Sequence, residues 1–190
     1  MNEDPIISFQ SAKAWTGWLA KNHRASTGIW MQIAKKGAEA PTVTYAEALE
    51  VALCYGWIDG QKRPLDAGHW LQRFVPRSSR GIWSRINRDK AEALIAQGRM
   101  QPAGREAIEQ AKNSGRWDSA YDGSKRSTVP GDFQAALDAH PEAKAFFETL
   151  NSANRYALLF RIQTVKKAET RARKIVQFVE MLARQEKFHP

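Results

Sequence analysis

Cysteine is nearly absent: Cys54 is the single one in 190 residues, so no intrachain disulfide forms and a reducing cytoplasm is the expected compartment. A chain of this length needs no such staple to bury a core. Long apolar runs are missing too, and nowhere does the sequence approach the roughly eighteen apolar residues of a membrane helix. The opening MNEDPIISF lacks the basic and apolar blocks of a signal peptide. His23, His69, His140 and His189 stand apart, without the i, i+4 pairing or nearby Cys and carboxylate that metal binding requires. Ser78, Ser79 and Ser84 lie outside any G-x-S-x-G elbow. No cofactor fingerprint occurs, so neither metal nor cofactor is expected. These absences leave open whether the protein is an enzyme.

What is present describes a folded basic protein. Hydrophobic residues make up 43% and charged ones 26%, which excludes a disordered chain. The net charge of +9 is concentrated: residues 62–90 hold eight Lys/Arg against two Asp/Glu, and residues 161–190 hold eight against three. Two basic zones on a near-neutral body favour an anionic small molecule, a polyanion or an acidic partner surface, and equally serve solubility.

In chain order, Ser11 precedes Trp15, Trp18 and Leu19 at helical spacing, predicting a helix over 11–22. Residues 28–37 alternate as a strand. Thr44 and Glu47 have the reciprocal capping pattern and open a helix that ends at Tyr55, with Gly56 in the left-handed position. Trp57-Ile58-Asp59-Gly60 is expected to turn the chain into a hairpin of strands 61–65 and 69–75 around Asp66-Ala67-Gly68. Helices follow over 85–97 and from Pro102 to Gly115. The polar stretch after Trp117 reads as a linker. Three helices are expected beyond it, over 131–149, 152–163 and 165–185. The resulting expectation is α+β: a small, mainly antiparallel three-stranded sheet covered by helices over 1–117, a linker over 118–130, and a helical C-terminal module over 131–190.

The densest chemistry lies between Ala52 and Asn87. Trp57, Asp59, Lys62, Arg63, Arg73, Arg77, Trp83, Ser84 and Asn87 form a candidate pocket for an anionic small molecule or acidic peptide group. Guanidinium forks match carboxylate and phosphate, and flanking indoles exclude water. Asp59 is expected to pair with Lys62, Arg63, Arg73 or Arg77. The competing reading makes these same residues core and hairpin scaffolding. A second candidate is the helical face Lys166, Lys167, Arg171 and Lys174, spaced to lie along nucleic-acid phosphates, though no nucleic-acid-binding motif accompanies it. An enzyme acting on an anionic substrate is the third alternative.

The motifs ALCYGWIDG at 52–60, RFVPR at 73–77, Trp83-Ser84 with Asn87, GRM at 98–100 and KKAETRARKI at 166–175 together resemble the YdeI/OmpD-associated, or bacteriocin-protection, family. The resemblance spans about 8–117 and 131–187. It implies a link to envelope stress or antimicrobial-peptide resistance, and implies no catalytic residues.

Overall fold

The structure is a computed structural model describing residues 4–38, 41–124 and 126–190. The chain divides into two compact units, Met1–Trp83 with Asn87–Ala120, and Ser84–Ile86 with Tyr121–Pro190.

The first unit contains β1 (Ile6–Ser8), α1 (Ala12–Asn22), β2 (Ile29–Ala34), α2 (Tyr45–Cys54), β3 (Trp57–Pro64), β4 (His69–Pro76), most of α3 (Arg85–Ala96) and α4 (Pro102–Asn113). The fold is α+β, but the expected three-stranded antiparallel sheet is a mixed four-stranded one in the order β1-β2-β4-β3. The added strand β1 pairs in parallel with β2. Its three residues, Ile-Ile-Ser, are too few to show an alternation.

A second correction concerns Trp57 to Gly60, which belong to β3 rather than to a turn. Gly56 alone reverses the chain, at φ +71, so pairing starts at once with Trp57 opposite Pro76. The strand then bulges between Asp59 and Lys62. The buried Gln72 closes the bulge, its Nε2 donating to the carbonyls of Gly60 at 3.0 Å and Gln61 at 3.1 Å.

The sheet has two faces of different character. Ile29, Met31 and Ile33 alternate inward with Phe74 from β4, joining Trp15, Leu19, Leu53, Trp57, Leu94 and Ile108 in one core. Trp30 and Arg73, opposite each other in the register, take the other face. Helix termini follow the sequence signals. Ser11 caps α1, and the reciprocal Thr44–Glu47 box opens α2.

The second unit holds α5 (Gly131–Asp138), α6 (Pro141–Thr149), α7 (Ser152–Gln163) and α8 (Ala168–Ala183). The single helix expected over 131–149 is two, because Pro141 lacks the N–H that would continue α5 and instead starts α6 as its first residue. Phe133, Leu137, Phe147, Leu158, Ile162, Phe178 and Leu182 form the core of this unit. The polar stretch before it divides at Ala120, which is buried in the first core. Beyond that point Tyr121 packs edge-on against Phe160 at 4.9 Å, and Ser127 accepts a bond from Gln163 at 2.7 Å. Lys125 lies outside the described residues.

Candidate functional site

Among the described residues, the side chains singled out between Trp57 and Asn87 spread over different surfaces, and Arg77 with Trp57 and Trp83 line the depressions described below. Strand alternation sends Arg63 and Arg73 to the sheet face away from the core. There Arg63 lies 4.1 Å over the Trp30 ring, and Arg73 is bridged to Asp4 at 2.7 Å. Lys62 is exposed on the hairpin. Asp59 turns toward α2, where its carboxylate accepts a hydrogen bond of 2.8 Å from the Tyr45 hydroxyl. Among the described residues no cation bridges to Asp59. The expected partner set is corrected accordingly: Tyr45, projecting from the first turn of α2, reaches the strand before any basic side chain does. Burial, helped by this bond and by the Asp59 charge, holds the Tyr45 hydroxyl well above its ordinary pKa. Ser84 is grouped with the second unit, where it forms a bridge with Tyr121. Asn87 stands in the first turn of α3.

Arg77, Trp57 and Trp83 are brought together. Arg77 follows β4, and its N–H donates to the Gly56 carbonyl at 2.8 Å, which fastens it to the link between α2 and β3. Its guanidinium carbon lies over the Trp83 ring, 3.8 Å from the centroid, and the group donates to the Ile82 carbonyl at 2.9 Å. Trp83 is buried and meets Trp117 edge-on at 4.8 Å. The indole is therefore a fixed platform, and the arginine on it is oriented by stacking as well as by hydrogen bonding.

Two depressions converge on this arginine. One, shallow, lies beside the Ser78–Gly81 turn and is lined by Arg77, Ser78, Ser79, Trp83 and Gln110. The other, of about 160 Å³, is lined by His23, Arg24, Tyr55, Arg77, Glu106 and Gln110. They share Arg77, Ala107 and Gln110, so they lie side by side along α4 as the groove at Arg77. The groove depends on close backbone packing. At Gly56 a Cβ would come within 2.8 Å of the Ala103 carbonyl oxygen. Trp57 is one of the residues that line the larger depression, and its buried indole N–H donates to the His23 carbonyl at 3.1 Å and holds the end of α1 against it. Burial raises the pKa of the Tyr55 hydroxyl, with Cys54 adding to the effect, which keeps the hydroxyl a hydrogen-bond donor. Two cations, a tyrosine, an amide and one carboxylate thus face a common space. Such a set suits an anion that also carries hydrogen-bond donors.

His23, Arg24, Tyr55 and Gln110 escaped the sequence reading because they come from three separated segments. In the sequence His23 is an isolated histidine. The signal that points to it is its position directly after the α1 helix, and that helix's orientation is fixed by tertiary packing.

The alternative basic face is partly consumed inside its own unit. Arg171 forks onto Asp132 at 2.6 and 2.9 Å and also donates to the Ile162 carbonyl at 2.7 Å. Lys174 stands 5.8 Å over the Phe178 ring. Lys166 and Lys167 are exposed before and at the start of α8. Among the described residues, no group of three or more His, Cys, Asp or Glu gathers where a metal ion could be held, and no helix is long and apolar enough to cross a membrane.

Two family models match the chain. One, described as "Domain of unknown function (DUF8412)", covers residues 7–107. The other, described as "Bacteriocin-protection, YdeI or OmpD-Associated", covers residues 126–185. The resemblance to the latter family therefore holds for the C-terminal part, while the motif-bearing N-terminal part matches a different model. No curated protein and no solved structure matches the chain.

Proposed function

We propose a function for this chain, which belongs to the family described as "Domain of unknown function (DUF8412)", from the chemistry of its first unit: it binds an anionic small molecule or an acidic group in the groove at Arg77. The observation that carries this reading is the convergence of both depressions on one guanidinium already stacked on a buried indole. A preoriented arginine forfeits little side-chain entropy on gripping an anion, and its apolar backing strengthens the charged bonds.

The C-terminal match to a family named for bacteriocin protection supports a role connected with antimicrobial stress, in which the groove senses or sequesters a small anion. We place this activity in the cytoplasm. The lone thiol supports that reading: Cys54 is buried, and burial pushes its pKa up, as befits a structural cysteine.

The test is titration calorimetry with inorganic phosphate on wild type, Arg77→Lys and Arg77→Ala. Losing a charge-assisted bond removes about 1.5 to 3 kcal/mol, so Arg77→Ala should bind roughly ten to a hundred times more weakly. Arg77→Lys, which keeps the charge but not the planar stack, should fall between. Equal affinity across the three proteins would sink the reading. A nucleic-acid function has a different signature. Oligonucleotide affinity falling steeply with salt, and lost on substitution of Lys166 and Lys167 rather than Arg77, would favour the C-terminal face instead.

A further inference from the structure

His23 lines the groove, and its geometry assigns its two nitrogens different tasks. Its backbone N–H and its ring Nδ1 both reach the Leu19 carbonyl, at 2.9 and 2.8 Å. A carbonyl only accepts, so Nδ1 carries the hydrogen and Nε2 is the nitrogen available to a bound molecule. The Tyr55 ring lies 5.4 Å from the imidazole, and the Trp57 indole pins the His23 carbonyl. The residue is held from both ends.

The charged and titratable groups sharing its cavity are Arg24 from the same segment, Tyr55 from the end of α2, Arg77 from the end of β4 and Glu106 from α4. Donors therefore approach from the ends of three elements as well as from Gln110 on α4. A planar carboxylate is satisfied by a single guanidinium fork, whereas a tetrahedral dianion presents oxygens in several directions and can use donors on several sides. Glu106 repels a bare anion but accepts from hydroxyl or amine groups, which favours a ligand carrying such groups beside its charge.

Resting on the reading of the groove as an anion site, we propose that His23 is a direct ligand of the bound group through Nε2, and that the group is a phosphate monoester on a small hydroxyl- or amine-bearing molecule. When Nε2 takes up a proton, His23 becomes a third charge-bearing donor beside Arg77 and Arg24, so binding strengthens as the pH falls. When it loses that proton, Arg77 and Arg24 supply the positive charge, with Tyr55 and Gln110 as neutral donors.

Sulfate is the first probe, because it is a tetrahedral dianion that does not titrate across the range in which imidazole does. Wild-type affinity for sulfate should rise about fivefold between about pH 8 and pH 5.5, the gain expected of one added charge near the anion. His23→Asn, whose amide can keep the bond to Leu19, should bind with the weaker, alkaline affinity at both pH values and melt as wild type does. Arg77→Ala should bind poorly at both. Glycerol 3-phosphate at pH 8 should bind more tightly than sulfate, and acetate much more weakly than either. A flat wild-type pH profile with Arg77 still required would overturn the role of His23 and leave the anion site standing. Acetate binding as tightly as sulfate would overturn the phosphate class. Failure of wild type to bind either tetrahedral probe would overturn both this proposal and the reading beneath it.

Discussion

Asp59 separates a structural role from a ligand-binding one most sharply, since its neighbours are now known. Its bond to the Tyr45 hydroxyl joins β3 to the first turn of α2, and Asp59 does not line the groove at Arg77. Tyr45→Phe deletes the donor and should cost about 1 kcal/mol of stability. Asp59→Asn keeps an acceptor oxygen and should cost less. Neither should change sulfate affinity. Melting temperature and calorimetry on the same two variants check this, and a loss of affinity with Asp59→Asn would mean that the β3 residues reach the ligand after all. The sequence already marked Asp59 as an acid that needs a partner. It could not identify Tyr45, because that contact depends on where α2 lands on the sheet. Local chemistry was legible where the partner is three residues away, as in the Thr44–Glu47 box. It was equally legible at Gly56, Gly98 and Gly115, whose positive φ values end their helices. Asp4 on Arg73 and Trp30 under Arg63 were not legible, because strand pairing creates those contacts.

At the level of elements, the crossing of α2 and α4 is set by Gly104. A Cβ there would stand 2.3 Å from the Cys54 carbonyl oxygen and 2.4 Å from the Met100 sulfur. Rotating the methionine relieves only the second clash, since the first is with backbone. Gly104→Ala should therefore force the helices apart and cost about 1 to 3 kcal/mol, as overpacked cores do, read as a lower denaturant midpoint. Retained wild-type stability would show that α4 can slide. In the second unit the corresponding tie is Arg171 on Asp132, joining α8 to α5. The arginine's hydrogen bonds hold the Asp132 carboxyl below its ordinary pKa. A depressed folded value means that the pair stabilises above the unfolded carboxylate pKa of about 4 and that this contribution is lost as the pH falls through the folded value. Because both groups are partly exposed, the pair is worth about 0.5 to 1 kcal/mol. Asp132→Asn should lower the melting temperature at neutral pH, and the difference from wild type should close in acid. A gap that persists unchanged in acid would assign the effect to helix capping rather than charge. The sequence showed α8 as an amphipathic helix but not which cations it spends internally. Arg171 looked like part of an open basic row until α5 supplied its acid. Likewise Pro141 carried the signal that splits 131–149 into two helices, and the apolar spacing that runs through the break concealed it.

Across the whole molecule, the aromatic residues are distributed so that the two units can be followed separately. All seven tryptophans, Trp15, Trp18, Trp30, Trp57, Trp70, Trp83 and Trp117, belong to the first unit. The second unit builds its core from phenylalanine and aliphatic side chains. Tryptophan fluorescence therefore reports the first unit alone, while helical circular dichroism reports both. Each unit has its own hydrophobic cluster, so removing core volume from one should weaken that one. Leu158 is almost fully buried in the second cluster, and Leu158→Ala should destabilise that unit by about 2 to 5 kcal/mol. The expected result is an early loss of helical signal on heating while the fluorescence midpoint stays near the wild-type value. Leu53→Ala, in the first cluster, should shift the fluorescence midpoint instead. If Leu158→Ala moves both signals together by the same amount, the two cores unfold as one cooperative body. In that case a stabilising ligand in the groove would protect the whole chain. If the signals separate, phosphate or sulfate should raise only the fluorescence midpoint. That outcome would locate the binding event in the first unit without any mutation in the groove itself.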